Sequence, residues 1–186
     1  MKKQDNKVES RLSAYFVIMM LICIAVNVVG GILARFLNLP FWLDTIGTMA
    51  AAIAFGPVPG GIVGLISGLC SGNLSGYSLF YLPISILVGV MIGALYPRKT
   101  KKEALGIVTL ALLNGLISAA LSTPVDVLAY QGDTGNLWGD ALKDMLDTYV
   151  SVSNFNTLVA EIFIDFPDRI LSMVLAQLLL FVCERK

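Results

Sequence analysis

Four charged side chains crowd one short stretch near the C-terminus: Glu161, Asp165, Asp168 and Arg169. Residues 161, 165 and 169 follow an i, i+4, i+8 spacing, so on a helix they share a face, with Ser172 near the same side. The flanking residues are apolar, and Phe155–Val182 is long enough to cross a bilayer, which takes about 20 residues. Counted back from Val182 at about 1.5 Å per residue, Arg169 lies roughly 20 Å from the inner end, in the outer half of the membrane. Charges at that depth are costly, so they line a wet cavity or pair among themselves. Two readings follow: a structural Asp165–Arg169 ion pair, or a site that faces a ligand.

Other residues could complete such a site. Asp44 opens a second helix, where it either caps free amides or faces the outer cavity beside the first loop. Asn73, Tyr77, Tyr81, Asn114 and Asp126 fall near outer helix ends and supply hydrogen bonds and aromatic faces for a small polar ring. Trp42, Tyr77 and Tyr81 could stack a heterocycle. The acids suit a ligand with hydrogen-bond donors, and Arg169 suits a carboxylate or carbonyl.

Several chemistries are excluded. The chain has no histidine, which removes histidine catalysis, haem ligation and His-containing zinc sites. Cys23, Cys70 and Cys183 are far apart, beside or within apolar runs, and form no C-x-x-C motif, so they read as buried thiols. No Walker loop, H-E-x-x-H or G-x-S-x-G motif is present. The flanks of Asp44 and Asp165 do not resemble an aspartyl protease dyad. No catalytic residue, cofactor, metal or nucleic-acid partner is therefore expected.

The elements that hold these residues follow from composition. Of 186 residues, 56% are hydrophobic and only 14% charged, about half the charged share of a soluble domain. Mean hydropathy is +0.80. The expectation is an all-α membrane protein, a single integral-membrane domain over residues 1–186. It has a cytoplasmic tail at 1–12 and six helices near 13–36, 43–55, 60–74, 77–96, 104–122 and 155–182. Pro83 is expected to kink the fourth helix, and Gly56-Pro-Val-Pro-Gly60 to form a rigid turn. An amphipathic helix is possible within Leu137–Val150, with Leu137, Ala141, Met145, Leu146 and Tyr149 on one face. The first apolar run exceeds the usual signal-peptide core, so it reads as an uncleaved helix. With both termini inside, ten of the 13 Lys and Arg side chains fall on the inner side, leaving Arg35, Lys143 and Arg169 outside. That pattern fits a multi-pass protein of a bacterial cell membrane.

Between Thr45 and Pro97 there is no charge, and glycine recurs at every fourth position: Gly60, Gly64, Gly68 and Gly72. Such a ladder makes a groove where another backbone approaches closely. Gly30 and Ala34 add small residues to the first helix. The groove serves either packing within the chain or contact with a partner's helices.

Three stretches, Leu43-Asp-Thr-Ile-Gly-Thr48, Phe55-Gly-Pro-Val-Pro-Gly-Gly-Ile-Val-Gly64 and Asp165-Phe-Pro-Asp-Arg-Ile-Leu-Ser172, resemble the substrate-binding S components of energy-coupling factor (ECF) transporters, of the riboflavin type or a relative of unassigned substrate. The resemblance implies a binding subunit of an ABC importer that captures a small water-soluble nutrient, a vitamin or related heterocycle, on the outer side. It also implies a transmembrane coupling subunit and two cytoplasmic ATPases as partners. The first three helices would carry the coupling contact, with Gly30, Ala34, Gly60, Gly64, Gly68 and Gly72 the candidates. The alternative is a membrane sensor or scaffold that oligomerises through the ladder.

Overall fold

The computed structural model describes residues 2–75, 79–97 and 103–184, and side chains at 14–72, 79–97 and 104–183. Seven α-helices form α1 (Lys2–Phe36), α2 (Ile46–Phe55), α3 (Pro57–Ser75), α4 (Leu82–Leu95), α5 (Glu103–Tyr130), α6 (Leu137–Asp147) and α7 (Ser153–Glu184). A 3-10 turn, Leu79–Tyr81, leads into α4. Among the described residues there is no strand.

Three helical stretches are long and apolar enough to cross a membrane: Ala14–Phe36, Ala104–Tyr130 and Ser153–Cys183. Three shorter apolar helices, Ile46–Phe55, Pro57–Gly72 and Leu79–Leu95, lie with them. Outward positions on α1 and α7 carry Ile18, Leu21, Val174 and Leu178. This is the surface a lipid solvent requires.

α2 sits at the centre and packs on α1, α3, α4 and α7. It is apolar around its whole circumference, as a helix enclosed by others must be, and Met49, Ala50, Ala51 and Ala52 are fully buried. Asn27 on α1 ties three helices together. Its amide donates to Thr48 Oγ1 on α2 (2.8 Å) and Ser67 Oγ on α3 (3.0 Å), and its oxygen accepts from the Gly47 amide (2.6 Å). A buried side-chain amide with all these bonds made acts as glue between helices in lipid.

The glycine ladder faces inward. A Cβ at Gly64 would strike the Ser85 carbonyl of α4; one at Gly60 would strike Ala52 of α2 and the Gly89 carbonyl. One at Gly68 meets only the tip of Leu82. The ladder is thus the groove into which α4 packs. Gly30 is closed by the Leu43 carbonyl, and Ala34 is 2% exposed. Gly72 is half-buried.

Several boundaries differ from the sequence expectation. The helix begins at Lys2, so the tail is helical rather than a separate segment. Pro57 and Pro59 do not form a turn; they occupy the first turn of α3, where their missing N–H groups would have no partner anyway. Gly56, at φ +98°, makes the break alone. Pro83 sits in the first turn of α4 and leaves it unkinked for the same reason. α5 continues through Pro124 to Tyr130, and α7 extends from Ser153 to Glu184. The helix within 137–150 forms, but its expected apolar face points away from the protein: Leu137, Met145 and Tyr149 are exposed. Its polar side is turned inward because Asn136, Asp140, Lys143 and Asp147 have fixed partners there.

Candidate functional site

α7 carries its charges to the α1–α2 connection. Asp168 Oδ1 accepts from the Trp42 and Leu43 amides (3.0 and 2.9 Å), while Oδ2 accepts from Arg169 Nη1 (3.1 Å). Arg169 also donates to Thr45 Oγ1 (2.8 Å) and to Asp165 Oδ1 (3.4 Å). All three charged side chains are buried. Leu43 has φ +53°, a conformation costly for leucine that persists only where surroundings enforce it. The two Asp168 bonds are that enforcement. Asp44, half-buried, follows directly; burial lifts its carboxyl above the usual range, with Arg169 and Arg35 pulling it down and Asp168 adding to the rise.

A second polar group comes from the other wall. The Tyr81 hydroxyl donates to Asp126 Oδ1 on α5, and the Tyr81 ring stacks on Tyr130, with centroids 6.1 Å apart and planes 12° from parallel. Glu161 of α7, itself buried, borders the same space.

Between these walls lies a cavity of about 320 Å³. Trp42, Asp44, Tyr81, Glu161, Asp165 and Arg169 line it, together with Ser85, Ser122 and Tyr130. Asp133, Thr134 and Gly135 of the α5–α6 loop also border it. That loop is braced: Asp140 Oδ1 accepts from Thr134 N and Oγ1, Asn136 Nδ2 donates to the Leu39 carbonyl, and Trp138 Nε1 donates to the Asn38 carbonyl.

The structure therefore brings together six of the nine residues expected to bind. Asn114 is buried on α5 but does not line the cavity. The Asn73 side chain and Tyr77 lie outside the described residues. Sequence reasoning missed Ser85, Ser122, Tyr130 and the 133–135 loop. Tyr130 had a signal, since it stands one helical turn beyond Asp126; the serines, in apolar helices, had none.

Lys143 anchors α6 beneath the loop. It is buried and reaches Asp147 (3.4 Å), Asp133 (3.6 Å) and Asp144 (3.8 Å). Burial opposes its charge, but the hydrogen bond to Asp147 and the other carboxylates outweigh it and hold its pKa above the ordinary lysine value. Asp147 is held below the usual carboxylate range by its hydrogen bond from Asn156 (2.6 Å) and by Lys143.

Helices long and apolar enough to cross a membrane, with shorter apolar helices beside them, define a multi-pass membrane protein. Residues 1–128 match the 5TM-5TMR_LYT family, described as 5TMR of 5TMR-LYT, and the chain belongs to that family. No curated protein and no solved structure matches the chain.

This membership overturns the ECF resemblance, and with it the importer role, the vitamin-uptake role and the coupling contact inferred from it. The stretches that carried the resemblance are those that build a tight helix bundle. Gly60 and Gly64 seat α4, and Asp168 and Arg169 fasten a loop; neither feature is particular to transport.

Proposed function

We propose that this chain is a membrane sensor-type domain that holds a small molecule in the cavity between α7 and the α1–α5 bundle. The reading rests on one observation above all. Asp165, Arg169 and Glu161 of α7 share a cavity wall with Trp42 and Asp44 of the α1–α2 connection, so an occupant touches both. The family suggests the sensing role, and the cavity size falls at the low end of the range for small-molecule sites. The site works by binding, without covalent chemistry.

The same reading has the chain cross the membrane six times, with both termini at the inner face and α6 outside. Support comes from the family match, whose label names five membrane segments. Residues 1–128 hold α1–α4 and nearly all of α5, which leaves α7 as a sixth. The skew of Lys and Arg points the same way. A single cysteine placed at Gln131 in a cysteine-free background should react with a membrane-impermeant maleimide from outside intact cells. Labelling only after permeabilisation would reverse the orientation.

The binding role is tested with purified protein in nanodiscs and fractions of a small-metabolite extract. At least one fraction should raise the melting temperature of the wild type and leave Ser85→Trp, which fills the cavity, unchanged. Equal stabilisation of both proteins, or of neither, defeats the proposal. The inward ladder leaves no basis for oligomerisation through Gly60 and Gly64.

A further inference from the structure

We infer that the cavity takes a small, flat organic cation: an amidine, guanidine or protonated amino-heterocycle whose N–H donors meet Asp165. This rests on the reading of the cavity as a ligand site. Asp165 is 1% exposed and borders the cavity, and its Oδ2 has no hydrogen-bond partner. An ionised carboxylate only accepts, so the group that completes it must donate. Its other oxygen is already engaged by Arg169.

Charge points the same way. Asp44, Asp133, Glu161 and Asp165 line the cavity, with Arg35 and Arg169 the cations among them. Arg169 is committed to Asp165, Asp168 and Thr45. Lys143 is turned to Asp133, Asp144 and Asp147. The lining thus carries more acidic side chains than basic ones. An anion entering here meets like charge, while a cation relieves it.

Shape selects among cations. Trp42, Tyr81 and Tyr130 put three aromatic side chains on the lining, and a delocalised planar cation gains from aromatic neighbours where a hydrated ammonium gains less.

Three near-isosteric probes separate the possibilities: benzamidine (cationic), benzamide (neutral) and benzoate (anionic). Each is titrated into the full-length protein in nanodiscs and followed by calorimetry. Benzamidine should bind saturably and about tenfold or more tighter than benzamide, the equivalent of one charge-assisted hydrogen bond. Benzoate should not bind. Asp165→Asn should erase the preference for benzamidine over benzamide, with a melting curve verifying the fold. Should that variant not fold, Glu161→Gln, which removes a second acid from the lining, should narrow the same preference. Tightest binding by benzoate, a preference unchanged in both variants, or no binding by any probe overturns the inference. If the extract still stabilises the wild type but not Ser85→Trp, the cavity remains a ligand site and only the cation class fails. If it does not, both fail together.

Discussion

The α3–α4 seam and the α5–α7 seam hold helices together in lipid by opposite means. In the first, the interface is made by removing side chains: Gly60, Gly64 and Gly89 let backbones meet, and no charged residue is present on either helix. In the second, α7 brings an arginine and three acids against the Asp126 of α5 and the α1–α2 connection. Lipid tails give helices little reason to associate, so close contact and buried polar bonds are the two sources of cohesion available. Among the described residues of the glycine seam, no buried side-chain polar atom lacks a hydrogen-bond partner. The charged seam leaves an acceptor on Asp165 unused beside an open volume. The charged side chains of the cavity thus come from outside the glycine seam, to which α4 adds Ser85.

That contrast can be broken most forcefully at Arg169. Its replacement by methionine strands Asp165 and Asp168 without a cation, and losing one partner of a buried pair costs about 3–5 kcal/mol. The melting temperature should fall sharply and Trp42 should gain solvent exposure in fluorescence quenching. A variant as stable as the wild type would mean the cluster does not hold the loop.

Within the glycine seam the effects should be graded. Gly64→Ala places a methyl on the Ser85 backbone, an overpacking cost of about 1–3 kcal/mol. Gly68→Ala should be milder, because only the flexible end of Leu82 must move. Thermal melts of the two variants in matched detergent check the order. Equal tolerance would show that the ladder does not seat α4.

Asn27→Leu tests the polar tie outside both seams. It removes three bonds and leaves Thr48, Ser67 and the Gly47 amide to find others. A loss of about 1–2 kcal/mol is expected, read from unfolding in a denaturing detergent. A gain in stability would show that packing alone suffices at this junction.

The smallest effect concerns α6. Because Asp147 is held below its ordinary value, its contribution is present above the unfolded-state pKa of about 3.9 and is lost as pH falls through the folded one. Lys143, held high, contributes below its unfolded value of about 10.4 and ceases to do so as pH rises through the folded one. Proteolysis of α6 should therefore be slowest near neutrality and quicken at strong acid. Asp147→Asn should flatten the acid side; an unchanged profile would exclude this pair as the anchor.

Much of the charged seam is legible in the amino-acid sequence, because an ionisable group in an apolar run stands out. Glu161, Asp165 and Arg169 declare themselves by helical spacing. The groups that Asp168 holds do not: its amide partners lie about 125 positions away in the chain, and no local pattern encodes that. The ladder is equally visible, but spacing does not name the neighbour, so α4 as its occupant emerges only in three dimensions. Asn27 gives no signal because one amide in a long apolar helix resembles a tolerated exception. For α6, apolar periodicity identifies the helix and misjudges its facing, since the fixed polar partners of Asn136, Asp140 and Lys143 turn the other side inward.

Pro167 stands in α7 between Asp165 and Asp168, and Pro124 stands two residues before Asp126 in α5. Each lacks an N–H, so the carbonyls of Phe163 and Ala120 receive no i+4 bond. Both charged helices therefore lack one backbone hydrogen bond near the cavity. From Pro167 to Glu184 the remaining arm measures about 25 Å, so each degree of bend moves its far end by about 0.4 Å. A bend of ten degrees at that proline would carry the far end of α7 by about 4 Å.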